Sequence, residues 1–226
     1  HLAGKNLRFE TRAGRVTLHG KVRSFFLKQM AQETLKGIEG VAQIDNWDET
    51  AKVTYDCALW SELVSLRFLE GPHHVAIVGP VGVGKTFLAH ALGHIACRRG
   101  HSVIAVRADR MLKTLRQARL IQTYELELRR LLAIDLLILD DFGLDAMDAQ
   151  ESRDAYEIFT ERHRAGSMIV TSNRGPDEWL GTFADPVRAQ SAIDRFTSNA
   201  YDLVVEGESY RARLKPKIPA TTKEAH

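Results

Sequence analysis

The chain has 226 residues and a formal net charge of +2, with 44% hydrophobic and 27% charged residues. These values are typical of a globular protein, and no apolar stretch approaches the ~18 residues of a membrane-spanning helix. Cys57 and Cys97 form no CxxC pair, which argues against a disulfide framework or a zinc site. We expect two reduced thiols in the core. With no charged and apolar leader at His1, we also expect a cytoplasmic protein.

Residues 1–50 are predicted to form a small α+β segment. Leu7–Glu10 and Arg15–Leu18 are candidate strands, a helix follows the N-cap candidate Ser24, and Val41–Ile44 is a third strand. The stretches GRVTLHGKVRS and GIEGVAQIDN resemble the second half of a BON domain, a small module often associated with envelope surfaces. Because the segment contains no catalytic cluster, we interpret it as a structural appendage and keep a binding module as the alternative.

From residue 51 onward, short apolar runs alternate with helical stretches. This alternation predicts βα units and a parallel sheet covered by helices on both faces. Asp148 and Glu151 have the spacing of a capping box, which predicts a helix with Ala155, Ile158 and Phe159 on its apolar face, ended by Gly166. The predicted strands are 75–78, 102–106, 136–140, 168–171 and 202–205.

A phosphate-binding motif follows the first of these strands. Gly79–Thr86 reads GPVGVGKT and matches GxxxxGK[ST] between an apolar strand and a helix. Glycines let backbone N–H groups point at a phosphate, Lys85 neutralises phosphate charge, and the Thr86 hydroxyl ligates magnesium. A turn that bound no nucleotide would not need lysine and threonine at these positions. We therefore predict ATP and Mg2+ as ligands, with the nucleotide held by Gly79, Pro80, Val81, Gly82, Val83, Gly84, Lys85, Thr86 and Phe87.

Another apolar run, Leu136–Asp141, ends in two carboxylates. A buried strand would deliver Asp140 beside the P-loop, where its charge can hold Mg2+ through water and Thr86. Asp141 would orient and polarise the attacking water. Aspartate is one methylene shorter than the glutamate more often found in this role, so hydrolysis is expected to be slow or to need a partner. The alternative is a chance pair of acids at a strand end.

Two further polar residues have candidate roles near the γ-phosphate. Asn173 ends the run IVTSN, where a side-chain amide can position water, although asparagine at a strand end is also ordinary turn chemistry. Arg195 lies on a predicted helix whose apolar side is Ala192, Ile193 and Phe196. It is either a partner of a neighbour such as Asp194 or an arginine finger that completes the site of an adjacent subunit.

Six segments follow one another in the chain: GPVGVGKTFLAHALGHIACRRG, LLILDDFGL, TSNRGPDEW, FADP, SAIDRF and EGESYR. In this order and spacing, over about 160 residues, they resemble the IstB-like ATP-binding proteins of insertion sequences and their kin, the helicase loader DnaC. The resemblance implies an AAA+ ATPase that assembles as a homo-oligomer on double-stranded DNA and helps a transposase or replication partner, with turnover stimulated by DNA or assembly. It implies Lys85 and Thr86 as nucleotide ligands, Asp140 as the magnesium carboxylate, Asp141 as the water activator, Asn173 as the sensor and Arg195 as the finger.

The chain departs from the family pattern at both ends. The BON-like stretch replaces an N-terminal helical domain, and too few residues follow the last strand for a full helical lid. We expect an α/β fold, a P-loop NTPase of AAA+ type without that lid, in residues 51–211, and a basic, disordered tail in 212–226. Tyr55, before the domain, is expected either to stack on adenine or to pack in the core.

Basic residues are concentrated between Arg98 and Arg130, with nine Lys or Arg against three acids. This region is either a solvated helical face or a contact surface for the phosphates of DNA. The candidate DNA contacts are Arg116, Arg119, Arg129 and Arg130.

Two other functions compete with a transposition helper. A P-loop kinase for a small molecule would need an acceptor pocket and an arginine-rich lid, which the sequence does not indicate. A BON-led binding protein fused to a degenerate ATPase is the other alternative, against which the intact P-loop and the Asp140–Asp141 pair argue.

Overall fold

The computed structural model describes residues 53–209 in full and, nearer the N-terminus, the backbone of three strands. β1 (Leu7–Arg12) pairs antiparallel with β2 (Arg15–Gly20), and β2 pairs parallel with β3 (Gln43–Asn46). These strands overlap the three that were predicted. The helix expected after Ser24 and the tail 212–226 lie outside the described residues.

The main domain is built on a five-stranded parallel sheet. Its strands are β5 (His74–Val78), β6 (Val103–Arg107), β7 (Leu136–Asp140), β8 (Ser167–Ser172) and β9 (Ala200–Val204). They lie in the order β6-β7-β8-β5-β9, and all five predicted strands are confirmed to within two residues. Two short strands, β4 (Val53–Thr54) and β10 (Glu206–Gly207), pair antiparallel outside it. The helices are α1 (Cys57–Ser65), α2 (Lys85–Arg98), α3 (Ala108–Leu120), α4 (Tyr124–Leu132), α5 (Ala149–Arg162), α6 (Pro176–Trp179) and α7 (Pro186–Thr197).

Helices cover both faces of the sheet, which explains the continuous apolar runs in its strands. Every residue of β7 is buried, and successive side chains enter opposite cores. Leu136 and Ile138 join the core beneath α1 and α2, whereas Leu137 and Leu139 join the core beneath α3, α4, α5 and α7. A strand buried on one face alone would show polar residues at alternate positions.

Helix α5 begins as predicted and ends early. The Asp148 carboxylate accepts from the backbone N–H of Glu151, and Glu151 accepts from that of Asp148, which completes the capping box. The helix ends at Arg162, four residues before Gly166. The Arg162 guanidinium is fully buried and donates to backbone carbonyls before β7 and at the start of β8, including Ile134 and Ser167. It holds together the amino-terminal ends of these strands.

His74, the first residue of β5, is fully buried at the same end of the sheet. Its Nδ1 accepts from the backbone N–H of Met168 at 3.2 Å, and its ring stacks on Phe196 with 5.2 Å between ring centres. Burial, followed by the charges of His163 and Arg162, lowers the pKa of His74 to about 4. The structure therefore favours the neutral imidazole.

The two cysteines correct one expectation. Both thiols are free, but Cys57 and Cys97 are exposed and not in the core. The helical period explains Cys97, because Leu92 and Ala96 of the same helix occupy the buried side. Within residues 53–209, no helix combines the length and apolar character needed to cross a membrane.

Candidate nucleotide-binding site

The predicted P-loop connects β5 to α2, as the motif requires. Gly82 and Gly84 have φ angles of +86° and +102°, in the left-handed region that favours glycine. Gly79 permits a close backbone approach, because a Cβ there would lie 2.0 Å from the carbonyl oxygen of Val205. Phe87 points partly into the core beneath α1 and α2. The local sequence therefore builds the tight turn and places the N-terminus of α2 behind it.

A segment that follows β9 lies against the P-loop. We call residues 205–209 the C-terminal clasp. The backbone N–H of Val205 donates to the carbonyl of Val78 at 2.8 Å, and β10 pairs with β4. A Cβ on Gly82 would lie 2.1 Å from Ser209 Oγ. This contact was not predicted from the sequence, because no pattern within EGESYR indicates which loop it meets.

Tyr55 lies between β4 and α1. Its ring meets Trp60 edge to face, with 5.9 Å between ring centres, and it packs against the core beneath α1 and α2. This contact supports the core-packing alternative; the adenine contact stays a prediction.

Lys85 brings the P-loop and the predicted sensor together. It is 5% exposed, and its Nζ donates to the carbonyl oxygens of Gly79 at 2.8 Å and Pro80 at 2.7 Å. The same Nζ donates to Asn173 Oδ1 at 2.6 Å. The ammonium group is thus held at the loop, where a phosphate oxygen would offer a charged acceptor. Strand order explains the meeting, since β8 is the immediate neighbour of β5.

The two acidic residues at the end of β7 are joined by a threonine. Thr171 Oγ1 donates to Asp140 Oδ1 at 2.6 Å and accepts from the backbone N–H of Asp141 at 3.0 Å. Asp140 is 7% exposed, and Asp141 is half-buried with a φ of +56°. A non-glycine residue in this region carries backbone strain, which is concentrated at functional sites. Thr171 was not predicted from the sequence as a site residue.

The predicted magnesium ligands have suitable chemistry. Thr86 lies exposed at the second position of α2, and Asp140 ends β7. A hydroxyl and a carboxylate are oxygen ligands of the kind that Mg2+ takes together with water. These residues therefore fit the ion.

Ser172, which precedes Asn173, contacts two loops and helix α6. Its buried Oγ donates to the carbonyl of Phe142 at 2.7 Å and accepts from Trp179 Nε1 at 3.1 Å. Its carbonyl accepts from the backbone N–H of Gly79 at 3.3 Å. Ser172 and Trp179 were not predicted as site residues; the polar run after a buried strand was the available signal.

Arg195 lies on α7, where Ala192, Ile193 and Phe196 are buried as predicted. Its Nη1 donates to the backbone carbonyl of Ser191 at 2.8 Å and to the hydroxyl of the same residue. The partner within the helix is therefore Ser191 and not Asp194. Within residues 53–209, the hydrogen bonds of its guanidinium remain in its own helix, and its role as a finger stays a prediction.

Arg119 has strong intramolecular partners. Its two terminal nitrogens donate to the carboxylate of Asp154, whose side chain is 2% exposed, and the guanidinium lies 3.7 Å from the centre of the Tyr124 ring. A hydrogen bond from Arg119 to this carboxylate raises the pKa of the arginine. These contacts favour a structural role for Arg119 over the predicted DNA contact.

The other three candidate DNA contacts are more exposed. Arg116 is 52% exposed but donates to both carboxylates of the α5 capping box. Arg130 is 62% exposed and pairs with Glu127, one turn away, and exposed Arg129 donates to a backbone carbonyl of α4. Exposed pairs of this kind contribute about 0–1 kcal/mol and exchange readily for other anions. Arg129 and Arg130 therefore remain accessible to phosphate.

Comparisons with known proteins agree on the family and the fold. The IstB-like ATP binding protein family matches residues 21–218. A putative insertion-sequence ATP-binding protein of Mycobacterium tuberculosis is 36% identical over 179 residues, covering 79% of this chain and 71% of the relative. The replication initiator DnaA, in its structure bound to AMPPCP and single-stranded DNA, is 27% identical to this chain in sequence. The TM-score is 0.54, and the similarity covers 66% of this chain and 46% of that one. The DnaC helicase loader is 19% identical, with a TM-score of 0.58 and coverages of 66% and 86%.

These similarities confirm the predicted α/β fold of a P-loop NTPase of AAA+ type. Among the described residues, β9 leads into β10 and not into a helix, while residues beyond 209 lie outside the description. The family match begins inside the segment predicted to be BON-like, and none of these similarities supports that assignment. The match covers most of the chain and includes the P-loop, both carboxylates, Asn173 and Arg195. The chain therefore belongs to the IstB-like ATP binding protein family.

Proposed function

We propose that this protein is a transposition helper that binds and hydrolyses ATP, and that ATP drives its assembly on double-stranded DNA for a transposase or replication partner. The convergence of the loops after β5, β7 and β8 carries the proposal, above all the 2.6 Å contact between Lys85 Nζ and Asn173 Oδ1. Residues 51–211 are the proposed ATP-binding unit. The 36% identical relative is named as an insertion-sequence ATP-binding protein, which supports the transposition context.

In the proposed hydrolysis of ATP, each residue of the site has a distinct role. The P-loop N–H groups and Lys85 hold the phosphates. Thr86 and Asp140 would hold Mg2+, which would supply positive charge to the phosphate oxygens. Asp141 accepts a hydrogen bond from water and orients it toward the γ-phosphorus, while Asn173 fixes the water or a γ-oxygen. The water oxygen bonds to phosphorus, the bond to ADP breaks, and the water proton passes to Asp141.

Arg195 is the residue through which assembly would raise the rate of hydrolysis. Its guanidinium is held on α7 by Ser191 and is half-buried, so a neighbouring subunit can receive it without unfolding the helix. An arginine finger is worth about 10³–10⁵ in rate in well-studied nucleotide hydrolases. We therefore expect an isolated subunit to turn over slowly and an assembled one to turn over faster.

DNA binding is proposed for the exposed basic face of α4, with Arg129 and Arg130 as the first contacts. One of the solved structures that the chain resembles is a DnaA protein bound to single-stranded DNA, which supports a nucleic-acid partner. Contacts to phosphates alone carry no sequence information. Binding should therefore be weakly sequence-specific and should weaken steeply as salt rises.

The test combines steady-state ATPase assays, with and without double-stranded DNA, and mass measurement of the assembly at each protein concentration. We expect the rate per subunit to rise with assembly, and Arg195→Ala to bind ATP but lose that rise. Mixing Arg195→Ala with Asp141→Asn subunits is the matched control, because an interface can pair an intact finger with an intact water activator and regain activity. ATP binding with no turnover in any assembly would instead support a degenerate ATPase.

A further inference from the structure

Trp179 is hydrogen-bonded to both neighbours of Asn173. Its fully buried indole Nε1 donates to Ser172 Oγ and to the carbonyl of Arg174, both at 3.1 Å. The backbone N–H of Arg174 also donates to Ser172 Oγ at 3.1 Å. Asn173 therefore lies at the tip of a turn that is closed by the Ser172 hydroxyl and fixed by the hydrogen bonds of Trp179. We call Ser172, Arg174 and Trp179 the sensor anchor.

The hydroxyl of Ser172 is fully used within this anchor. A hydroxyl has one hydrogen to donate and two acceptor positions. Here the hydrogen goes to the carbonyl of Phe142, and the acceptor positions receive the N–H groups of Arg174 and Trp179. Phe142 directly follows Asp141, so the anchor also ties the loop of the proposed water activator to the loop of Asn173.

Packing alone does not require the indole N–H. Trp179 lies 5.1 Å from Phe142 and 5.6 Å from Phe196 between ring centres, and aromatic contacts of this kind could be made by phenylalanine. A buried indole N–H needs an acceptor, and both acceptors available to it flank Asn173. The N–H therefore constrains the turn and not merely the core.

The Asn173 amide is oriented by Lys85, while the anchor fixes the backbone turn that carries it. Lys85 donates to its Oδ1, which directs the hydrogen-bonding capacity of the Nδ2 group toward other acceptors. ATP offers a γ-phosphate oxygen at such a site and ADP does not. The position of Nδ2 thus decides how far the site distinguishes the two nucleotides.

We propose that Ser172 and Trp179 are positioning residues that hold Asn173 for recognition of the γ-phosphate, and so set the preference for ATP over ADP. The inference rests on the proposed ATPase function. Loss of the anchor should leave the P-loop contacts to the α- and β-phosphates intact, because Lys85 and the loop N–H groups are unchanged. Affinity for ADP is then retained while affinity for ATP and the turnover number fall.

The experiment compares Trp179→Phe and Ser172→Ala with the control Phe159→Leu. Phe159 belongs to the same aromatic core, with 5.2 Å to the Phe142 ring and 5.5 Å to the Phe196 ring, but its side chain carries no hydrogen bond. Titrations with AMPPCP and ADP measure the preference, steady-state assays measure kcat and KM, and thermal unfolding measures stability. Ser172→Ala removes only one oxygen atom and decides the question if Trp179→Phe does not fold.

We expect both anchor variants to lose at least tenfold in kcat and in the ratio of AMPPCP to ADP affinity, since misplacement by about 1 Å costs up to 100-fold. Affinity for ADP should stay within about twofold, and Phe159→Leu should keep the parental ratio even where its melting temperature falls. If the folded anchor variants keep the parental kcat and the parental ratio of AMPPCP to ADP affinity, or if Phe159→Leu loses as much as they do, this inference is overturned and the proposed function stands. A parent that binds no nucleotide would refute the proposed function and this inference together.

Discussion

Replacing Gly82 by alanine should destabilise the protein for two separable reasons. The φ angle of +86° costs an L-residue about 1–2 kcal/mol. The added Cβ would also lie 2.1 Å from Ser209 Oγ, 2.8 Å from Ser209 Cβ and 3.1 Å from Ser209 Cα. Rotation of the Ser209 side chain cannot relieve the contact with Cα, so the backbone of the clasp must shift. Overpacking of this kind costs about 1–3 kcal/mol, which gives a total of about 2–5 kcal/mol.

Gly84 provides the matched control. Its φ angle is +102°, and a Cβ there would meet no atom within 4 Å. Gly84→Ala should therefore show only the backbone cost, about 1–2 kcal/mol. Ser209→Gly removes both the Oγ and the Cβ that oppose residue 82, so it should recover part of the loss in Gly82→Ala and none of the loss in Gly84→Ala.

Denaturant unfolding, followed by circular dichroism, measures the free energy of unfolding of each single and double variant. We expect a coupling energy of about 1 kcal/mol or more between positions 82 and 209, and a value within about 0.5 kcal/mol of zero between positions 84 and 209. Nucleotide titrations of the same variants report whether the P-loop also changes shape when the clasp shifts. Zero coupling between positions 82 and 209 would show that the clasp does not lie on the P-loop.

Four further predictions concern single residues. Lys85→Ala should weaken ATP binding by roughly tenfold to a hundredfold at unchanged circular dichroism, because a charge-assisted contact of about 1.5–3 kcal/mol is lost; unaltered affinity by calorimetry contradicts the P-loop assignment. Asp141→Asn should bind Mg-ATP and lose turnover, and a parental rate would assign water activation elsewhere. Stability should fall as pH drops from about 6.5 toward 4, because the unfolded state then binds a proton that folded His74 does not. Because the pKa of His74 is lowered to about 4, the free energy of unfolding should fall by about 3 kcal/mol. His74→Asn, which keeps a hydrogen-bond acceptor, should remove this pH dependence in unfolding measurements from pH 4 to 8. Arg119→Ala should lower the free energy of unfolding by about 3 kcal/mol, because it leaves a buried carboxylate unpaired. Arg130→Ala should lower it by less than about 1 kcal/mol and should weaken DNA binding. The opposite order in unfolding and filter-binding assays would contradict both assignments.

Much of the site was predictable because its signals are local. The P-loop is a run of eight consecutive residues whose glycines, lysine and threonine each have a chemical reason to be there. The apolar run before Asp140 predicted a strand buried on both faces, and β7 is buried at every position. The capping box at Asp148 and Glu151 predicted the start of α5, because both of its hydrogen bonds join residues three apart.

The partners of charged and polar side chains were not predictable. Arg116 and Arg119 were candidates for DNA contact on local charge alone, yet their carboxylate partners lie more than 30 residues away, at the N-cap of α5 and within α5. Cys57 and Cys97 were expected in the core, and the faces of their helices decided otherwise. Side-chain partners distant in sequence depend on how the helices dock.

The element types, the phosphate-binding loop and the residues available for nucleotide chemistry could be predicted from the chain alone, since they follow from spacing and side-chain chemistry within short stretches. Only the tertiary structure decided that β8 lies between β5 and β7, which places Ser172 in contact with Gly79 on one side and Phe142 on the other. It also decided that the clasp lies over Gly82 and that Trp179 holds the turn of Asn173. The contacts of Ser172 with Phe142 and of Gly82 with Ser209 join residues 30 and 127 positions apart, and contacts over such separations depend on strand order and packing, which no local pattern encodes.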